Sequence, residues 1–246
     1  MLRRAQVSTR EILSHPGPLL PISLVFALSN FLSWWASGYL KQNALAAVFV
    51  LIFSAVRAWA ALGVQNVALG LARGEPAADT GFRAWVSPGV LLQFALIGLV
   101  LGVGLFLAGL LAASALKLGA LGAPLAVLLA GAVVYATVAV SQYPLLLLDE
   151  RADMTDSVML SADLTKGHRG LLLIAFLLPL FAIALATSGV FQLAGIQAPG
   201  DAPLAFAALV PVGTAVYACW ACLNAAMFLE LLADHDRRLA EEAAPA

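Results

Sequence analysis

Six apolar stretches dominate the chain, at Leu19–Leu40, Ala44–Ala72, Val90–Leu116, Leu121–Leu148, Leu171–Ile196 and Leu204–Ala233. Each reaches the roughly 20 residues that an α-helix needs to cross a bilayer. None alternates apolar with polar residues, so the strands of a membrane barrel are excluded. A helix satisfies its own backbone groups inside lipid, and the pattern therefore predicts helices. The second stretch has 29 residues, about 43 Å at 1.5 Å each. It must tilt, kink or project into the headgroups.

The links around Lys41–Asn43, Lys117–Gly119 and Gln197–Pro203 are short, which pairs the stretches into three hairpins. Arg3, Arg4, Arg10, Arg73, Arg83, Arg151, Lys166, Arg169, Arg237 and Arg238 fall on one side of a six-pass arrangement, and only Lys41 and Lys117 on the other. The positive-inside rule makes the first side cytoplasmic, with both termini on it. The expected fold is all-α: a polytopic membrane helical bundle of six transmembrane helices in three hairpins, with short amphipathic cytoplasmic helices. It forms one integral membrane domain over residues 1–246, with a cytoplasmic entry segment at 1–18 and a cytoplasmic tail at 234–246. The first apolar run starts too late and is too long for a signal peptide, so it reads as a retained span. Trp34 and Trp35 read as an interface belt.

The polar links carry local signals. Ser8-Thr9-Arg10-Glu11 fits a capping box, and His15-Pro16-Gly17-Pro18 closes that short helix. Asp79 to Trp85 forms an entry segment before Ser87-Pro88-Gly89. Thr155 to Lys166 reads as an amphipathic helix closed by Gly167, with Val158, Met159 and Leu164 at the headgroup boundary. The end Glu241–Ala246 reads as disordered.

Composition agrees with a membrane setting. The chain is 62 % hydrophobic and 11 % charged, with a mean hydropathy of +0.95. A soluble domain carries about 25 % charged residues, so a water-soluble globular protein is excluded. A net charge of −1 gives nucleic-acid binding no support.

Arg57 is the principal candidate, because an Arg at mid-helix costs at least about 2.5–3.5 kcal/mol. Ser54, Arg57, Ala61, Gln65 and Ala68 share one helix face, opposite Val48, Ile52, Trp59 and Leu62. That small and polar stripe should face the bundle. Tyr135 sits at a similar expected depth, with Gln142 and Asn224 nearer the cytoplasm. Tyr135/Gln142 and Tyr217/Asn224 are each seven apart, which places each pair on one helix face. Arg57, Gln65, Tyr135, Gln142, Tyr217 and Asn224 are the candidate ligand-binding set, lining a polar cavity for an anionic group such as a lipid phosphate. The competing reading has these residues hydrogen-bonding between helices to hold the bundle together.

Other motifs point to packing. Gly98 and Gly102 form a GxxxG that permits close backbone approach, within the chain or between copies. Gly131, Tyr135 and Gln142 recur as Gly213, Tyr217 and Asn224, which suggests an internal repeat. Cys219 and Cys222 form a CxxC deep in an apolar helix, where a thiolate is disfavoured; they read as packing residues. His15, His168 and His235 lie among acidic residues that read as a solvated face, so no metal and no cofactor are expected. No HExxH, GxSxG, Walker A or strand-linked GxGxxG occurs.

The stretch Tyr143-Pro144-Leu145-Leu146-Leu147-Leu148-Asp149-Glu150, then Asp156-Ser157-Val158-Met159-Leu160-Ser161 and Leu164-Thr165-Lys166-Gly167-His168, resembles a pattern in a six-helix bacterial membrane family. That family includes YciC-like proteins and the membrane domain of some glycerophosphoryl diester phosphodiesterases. Leu71-Ala72-Arg73-Gly74-Glu75 and Gly81-Phe82-Arg83 are similar to its link between second and third helices. Asp156-Ser157 departs from the usual Glu-Ala. The resemblance implies six helices with amphipathic cytoplasmic segments and no established activity; the phosphodiesterase barrel is not in this chain.

Together these readings predict a non-enzymatic protein of the bacterial inner membrane that binds or translocates a lipid or other amphiphile. A scaffold that binds protein partners or a second copy is the alternative. A further alternative is an enzyme acting on lipid headgroups, which requires Asp149, His168 and Asp234 to converge.

Overall fold

The computed structural model describes Ser14 and residues 16–39, 44–117, 122–175 and 203–243. Among them every regular element is helical. Helix α1 spans Leu19–Tyr39, α2 Ala44–Ala72 and α3 Ala77–Thr80, followed by a 3-10 turn at Gly81–Ala84. Then come α4 (Pro88–Leu116), α5 (Gly122–Ala139), α6 (Tyr143–Leu148), α7 (Met154–Leu164) and α8 (Pro203–Ala243). Residues 169–175 are also helical. Among the described residues, four stretches are long and apolar enough to cross a membrane: Ala47–Ala72, Pro88–Ala115, Gly122–Leu148 and Val210–Ala243. The first predicted span coincides with the 21-residue α1. The fifth coincides with described helix only at residues 171–175. Its remainder lies outside the described residues, as do the capping box at Ser8–Glu11, His15, the side chains of Trp34 and Trp35, and the links at 41–43 and 118–121.

Local chemistry sets the visible ends. Pro16 accepts at its carbonyl from the backbone N–H groups of Leu19 and Leu20, at 3.1 and 3.0 Å, and so opens α1. Ser87 caps α4 by accepting from the Val90 N–H, with Pro88 next, where a missing N–H costs nothing. Asp156 lies in the first turn of α7, where its charge suits the dipole. Gly167 has φ +87°, a left-handed conformation that lets the chain turn away after α7.

The residues sort into two compact units, one of residues 1–86 with 175–246 and one of residues 87–174. In the first unit α1 and α2 run antiparallel, with Asn30 at Arg57 and Ile22 at Gly63. Helix α8 packs on both, with Tyr217 stacked on Phe26 and its hydroxyl donating to the Ala61 carbonyl at 3.3 Å. The two halves of α2 differ. Val48, Leu51 and Ile52 are exposed, whereas Ala60, Leu62, Val64, Val67, Ala68 and Leu69 are buried. The sequence pattern places Leu62 on an outward face; it is fully buried instead. The excess length of α2 is taken up by protein, because its last three turns are enclosed by neighbouring segments.

One of those segments is the link after α2. Glu75, α3 and the 3-10 turn double back along the helix. Ala84 comes so close to Gly63 that a Cβ there would stand 2.8 Å from the Ala84 carbonyl oxygen. A Cβ at Gly70 would stand 2.8 Å from Arg83 Cδ. Gly63 lies nine residues before Ala72, about 14 Å along the axis. The link is pinned by a polar clasp. Arg83 Nε and Nη2 donate to the two Glu75 carboxylate oxygens at 2.6 and 2.5 Å. Asn66 Nδ2 donates to the Arg83 carbonyl at 2.9 Å.

In the second unit, α4 and α5 form a hairpin that buries its larger side chains at one end and the small residues Ala115, Gly122 and Ala126 at the other. Ile97, Tyr143 and Leu147 are buried at the first end, with Val90, Phe94, Leu101 and Val158 packed around them. Farther along α4, Leu99, Val100, Phe106 and Leu111 are exposed, as suits a helix surrounded by lipid. In α7, of the three residues expected at the headgroup boundary, Met159 is exposed, whereas Leu164 is fully buried and Val158 joins the core.

Helix α8 also departs from expectation. It continues through the predicted tail to Ala243, so Glu241 and Glu242 are helical rather than disordered. Past the apolar run its residues are charged on all sides, and Arg238 pairs with Asp234 one turn back at 3.4 Å.

Candidate functional site

The fourth predicted span is interrupted. Between α5 and α6, residues 140–142 form turns, and Pro144 sits in the first turn of α6. The regular ladder would give the Ala139 carbonyl to the Tyr143 N–H, but that N–H bonds to Val140 instead. The Gln142 N–H likewise loses Val138, whose carbonyl takes the Ser141 N–H. Two groups are thereby orphaned in an apolar span, and each costs several kcal/mol if left unpaired in lipid, of order that for burial without a partner.

Helix α7 supplies the replacements. Ser161 Oγ accepts from the Gln142 N–H and donates to the Ala139 carbonyl, both at 3.0 Å. Thr165 Oγ1 also donates to the Ala139 carbonyl, at 3.1 Å. Both hydroxyl residues are fully buried. Arg169 completes the arrangement: Nη2 donates to the Ala162 carbonyl at 3.0 Å, Nη1 donates to the Tyr135 hydroxyl, and the guanidinium stands 4.5 Å over the Tyr135 ring. Ser161, Thr165 and Gly167 are among the residues that carry the family resemblance. Here Ser161 and Thr165 hold an interrupted helix together, and Gly167 turns the chain after α7.

This geometry changes the reading of two candidates. Tyr135 lies four residues from the end of α5, not at the middle of a continuous span. It is 58 % exposed and engaged with Arg169. Gln142 joins the interruption through its backbone, with its side chain buried. The Tyr135/Gln142 pair straddles a break, whereas Tyr217 and Asn224 lie on the continuous α8. The proposed repeat therefore does not extend to backbone geometry at this point.

The other candidates fall in the first unit. Gln65 is 5 % exposed and lies one turn along α2 from Ala61, whose carbonyl the Tyr217 hydroxyl meets. Gln65 Oε1 and the Ser23 hydroxyl are buried with no hydrogen-bond partner among the described residues. Asn224 is buried on the neighbouring stretch of α8. Arg57 stands apart from this cluster, eight residues before Gln65 and about 12 Å along the helix. It is partly exposed, and Nη1 donates to Asn30 Oδ1 on α1 at 3.2 Å. The six candidates therefore form three local groups: Arg57 with Asn30, Gln65 with Tyr217 and Asn224 nearby, and Tyr135 and Gln142 around the interruption.

A methyl group placed on Gly98 or Gly102 would meet nothing within 4 Å among the described residues. Cys222 is buried and Cys219 exposed. Asp149 pairs with Arg151 at 2.5 Å. Among the described residues no three His, Cys, Asp or Glu side chains come together to hold a metal ion.

No family model matches the chain, and the searches of curated proteins and of solved structures return no match. The functional reading therefore rests on the chain's own geometry.

Two features carry no signal strong enough to single them out in the sequence. One is the Gly63/Gly70 seat for the link, marked only by its seven-residue spacing. The other is the Glu75–Arg83–Asn66 clasp, whose members lie on two segments and share no motif.

Proposed function

We propose that this chain is a non-enzymatic integral membrane protein that holds the anionic group of a lipid or other amphiphile at the seam between α1 and α2. The observation that carries this reading is the Arg57–Asn30 pair. Arg57 lies near the middle of a 29-residue apolar helix. Its partner among the described residues is the neutral oxygen of an amide. A guanidinium has five N–H donors in a planar fork that matches phosphate and carboxylate geometry. A phosphate or carboxylate at this seam would offset the cost of a charge placed within an apolar helix through charge-assisted bonds.

Gln65, Tyr217 and Asn224 belong to the same unit and extend its polar interior toward the end where the basic residues gather. The charge bias of the links supports an inner-membrane setting with both termini cytoplasmic. The resemblance to YciC-like proteins is in keeping with this placement and supplies no chemistry. The open Gly98–Gly102 face favours a second reading, in which α4 binds a partner helix.

Native mass spectrometry from lipid nanodiscs tests the site. Wild-type protein is expected to retain an anionic lipid or small molecule that Arg57→Met loses while keeping its helical circular-dichroism spectrum. Equal retention by both proteins, or retention by neither, overturns the reading and leaves Arg57 as a helix-to-helix bond.

A further inference from the structure

The link between α2 and α4 carries the two most exposed aromatic side chains of the described residues. Phe82 is 79 % exposed and Trp85 77 %. In a water-filled loop such residues would be a liability. Here they project from a segment that folds back about 14 Å along α2, against Gly63 and Gly70.

The segment is also built as a chain at membrane depth must be. Non-helical backbone is tolerated there only where its polar groups are satisfied by protein. The Arg83 carbonyl accepts from Asn66, and the Arg83 guanidinium is neutralised in a two-pronged bond by Glu75. The Thr80 hydroxyl, fully buried, bonds to the Ala77 carbonyl at 3.0 Å. The charged pair thus presents no net charge, while Asp79, one turn earlier, is exposed. Phe82 and Trp85 flank this neutral clasp. Trp85 packs against Trp59 of α2, with ring centroids 5.6 Å apart. From Trp85 the chain passes through Val86 and Ser87 directly into the apolar α4.

We infer that residues 77–85 are a re-entrant interfacial anchor, with Phe82 and Trp85 seated in the headgroup–acyl boundary of the membrane that α2 crosses. Trp and Phe suit that boundary because their rings bury apolar area while the indole N–H stays near polar groups. The Gly63/Gly70 seat sets the depth of the anchor, and Asp79 marks its aqueous side. The inference rests on membrane insertion alone, and it stands or falls separately from ligand binding at Arg57.

Spin-label accessibility in nanodiscs of phosphatidylcholine and phosphatidylglycerol tests it. Single-cysteine variants Asp79→Cys, Phe82→Cys and Trp85→Cys are made in a Cys219→Ala, Cys222→Ala background. The ratio of oxygen to nickel-chelate collision rates is expected above one at positions 82 and 85 and below one at 79. A ratio below one at 82 or 85, or exclusion of both relaxants there, overturns the anchor. Should a label prevent folding, brominated lipids decide the point with native side chains. The fluorescence lost in Trp85→Phe should be quenched more by bromines near the glycerol backbone than by bromines near the chain ends. The reverse order, or no quenching by either lipid, overturns it.

Discussion

Single side chains fix how closely the segments of this protein approach one another. At Gly63 the obstacle to a side chain is the Ala84 carbonyl oxygen, a backbone atom held by its neighbours. At Gly70 the obstacles are Arg83 Cδ and Glu75 Oε2, side-chain atoms of a bonded pair that has more room to shift than a backbone carbonyl. The two glycines should therefore respond differently to the same methyl group. Gly63→Ala is expected to destabilise by about 1–3 kcal/mol, the usual range for overpacking, and Gly70→Ala by clearly less. Thermal unfolding in detergent, followed by circular dichroism, checks the order; a Gly63→Ala protein as stable as wild type would refute it. Arg57 is a contrasting case. Its cost at mid-helix was legible because charge inside an apolar run is rare. Its partner Asn30 was not, because only the antiparallel register of α1 and α2 brings residue 30 to residue 57.

At the level of elements, helix α7 acts as a splint for the α5–α6 interruption. Two of its hydroxyls share one acceptor, the Ala139 carbonyl. Ser161→Ala removes the acceptor of the Gln142 N–H and is expected to cost about 1–3 kcal/mol. Thr165→Val alone should cost less, because Ser161 still serves the carbonyl. The double variant strips the Ala139 carbonyl of both donors, so its cost should exceed the sum of the single ones. A double-variant cycle on unfolding free energies measures that excess; strict additivity would show that the two hydroxyls do not share the task. The existence and limits of the helices were largely readable. The predicted Ala44–Ala72 coincides with α2, and α4 ends at the predicted Leu116. The interruption at 140–142 was not read, although Ser141, Gln142 and Pro144 mark it, because the run Leu121–Leu148 is apolar on both sides of them. Pro144 marks the break, but the groups it frees at Ala139 and Gln142 are taken up by hydroxyls 19 to 26 residues away from them, a pairing that no local pattern records. The end of α8 misleads for the opposite reason. Its charged residues look like a tail, yet Asp234 and Arg238 stand one turn apart and support a helix.

At the scale of the whole molecule, the described residues are helical and include four stretches able to cross a membrane. The α4–α5 hairpin makes a two-sided prediction. With Cys219 and Cys222 replaced by Ala, Lys117→Cys at the end of α4 and Asp153→Cys after α6 should react with an impermeant maleimide from opposite faces of sealed vesicles. Labelling of both from one face would remove this hairpin from the set of spans. The overall class was legible because 62 % hydrophobic residues leave too little polar surface for water. The division of the candidate site among three local groups was not, because residues that share a depth on paper need not share a neighbour.

The first unit is assembled from both ends of the chain. It is left at Val86, and its third long helix among the described residues begins at Pro203, about 116 residues later. At a synthesis rate of roughly 5–20 residues per second, that interval lasts about 6–23 s. Throughout it, α1 and α2 are complete and the link clasp is within reach, but Ala61 still lacks the Tyr217 that will meet it. The newborn protein therefore passes through a stage in which the Ala61 carbonyl waits for a donor that has not yet been synthesised.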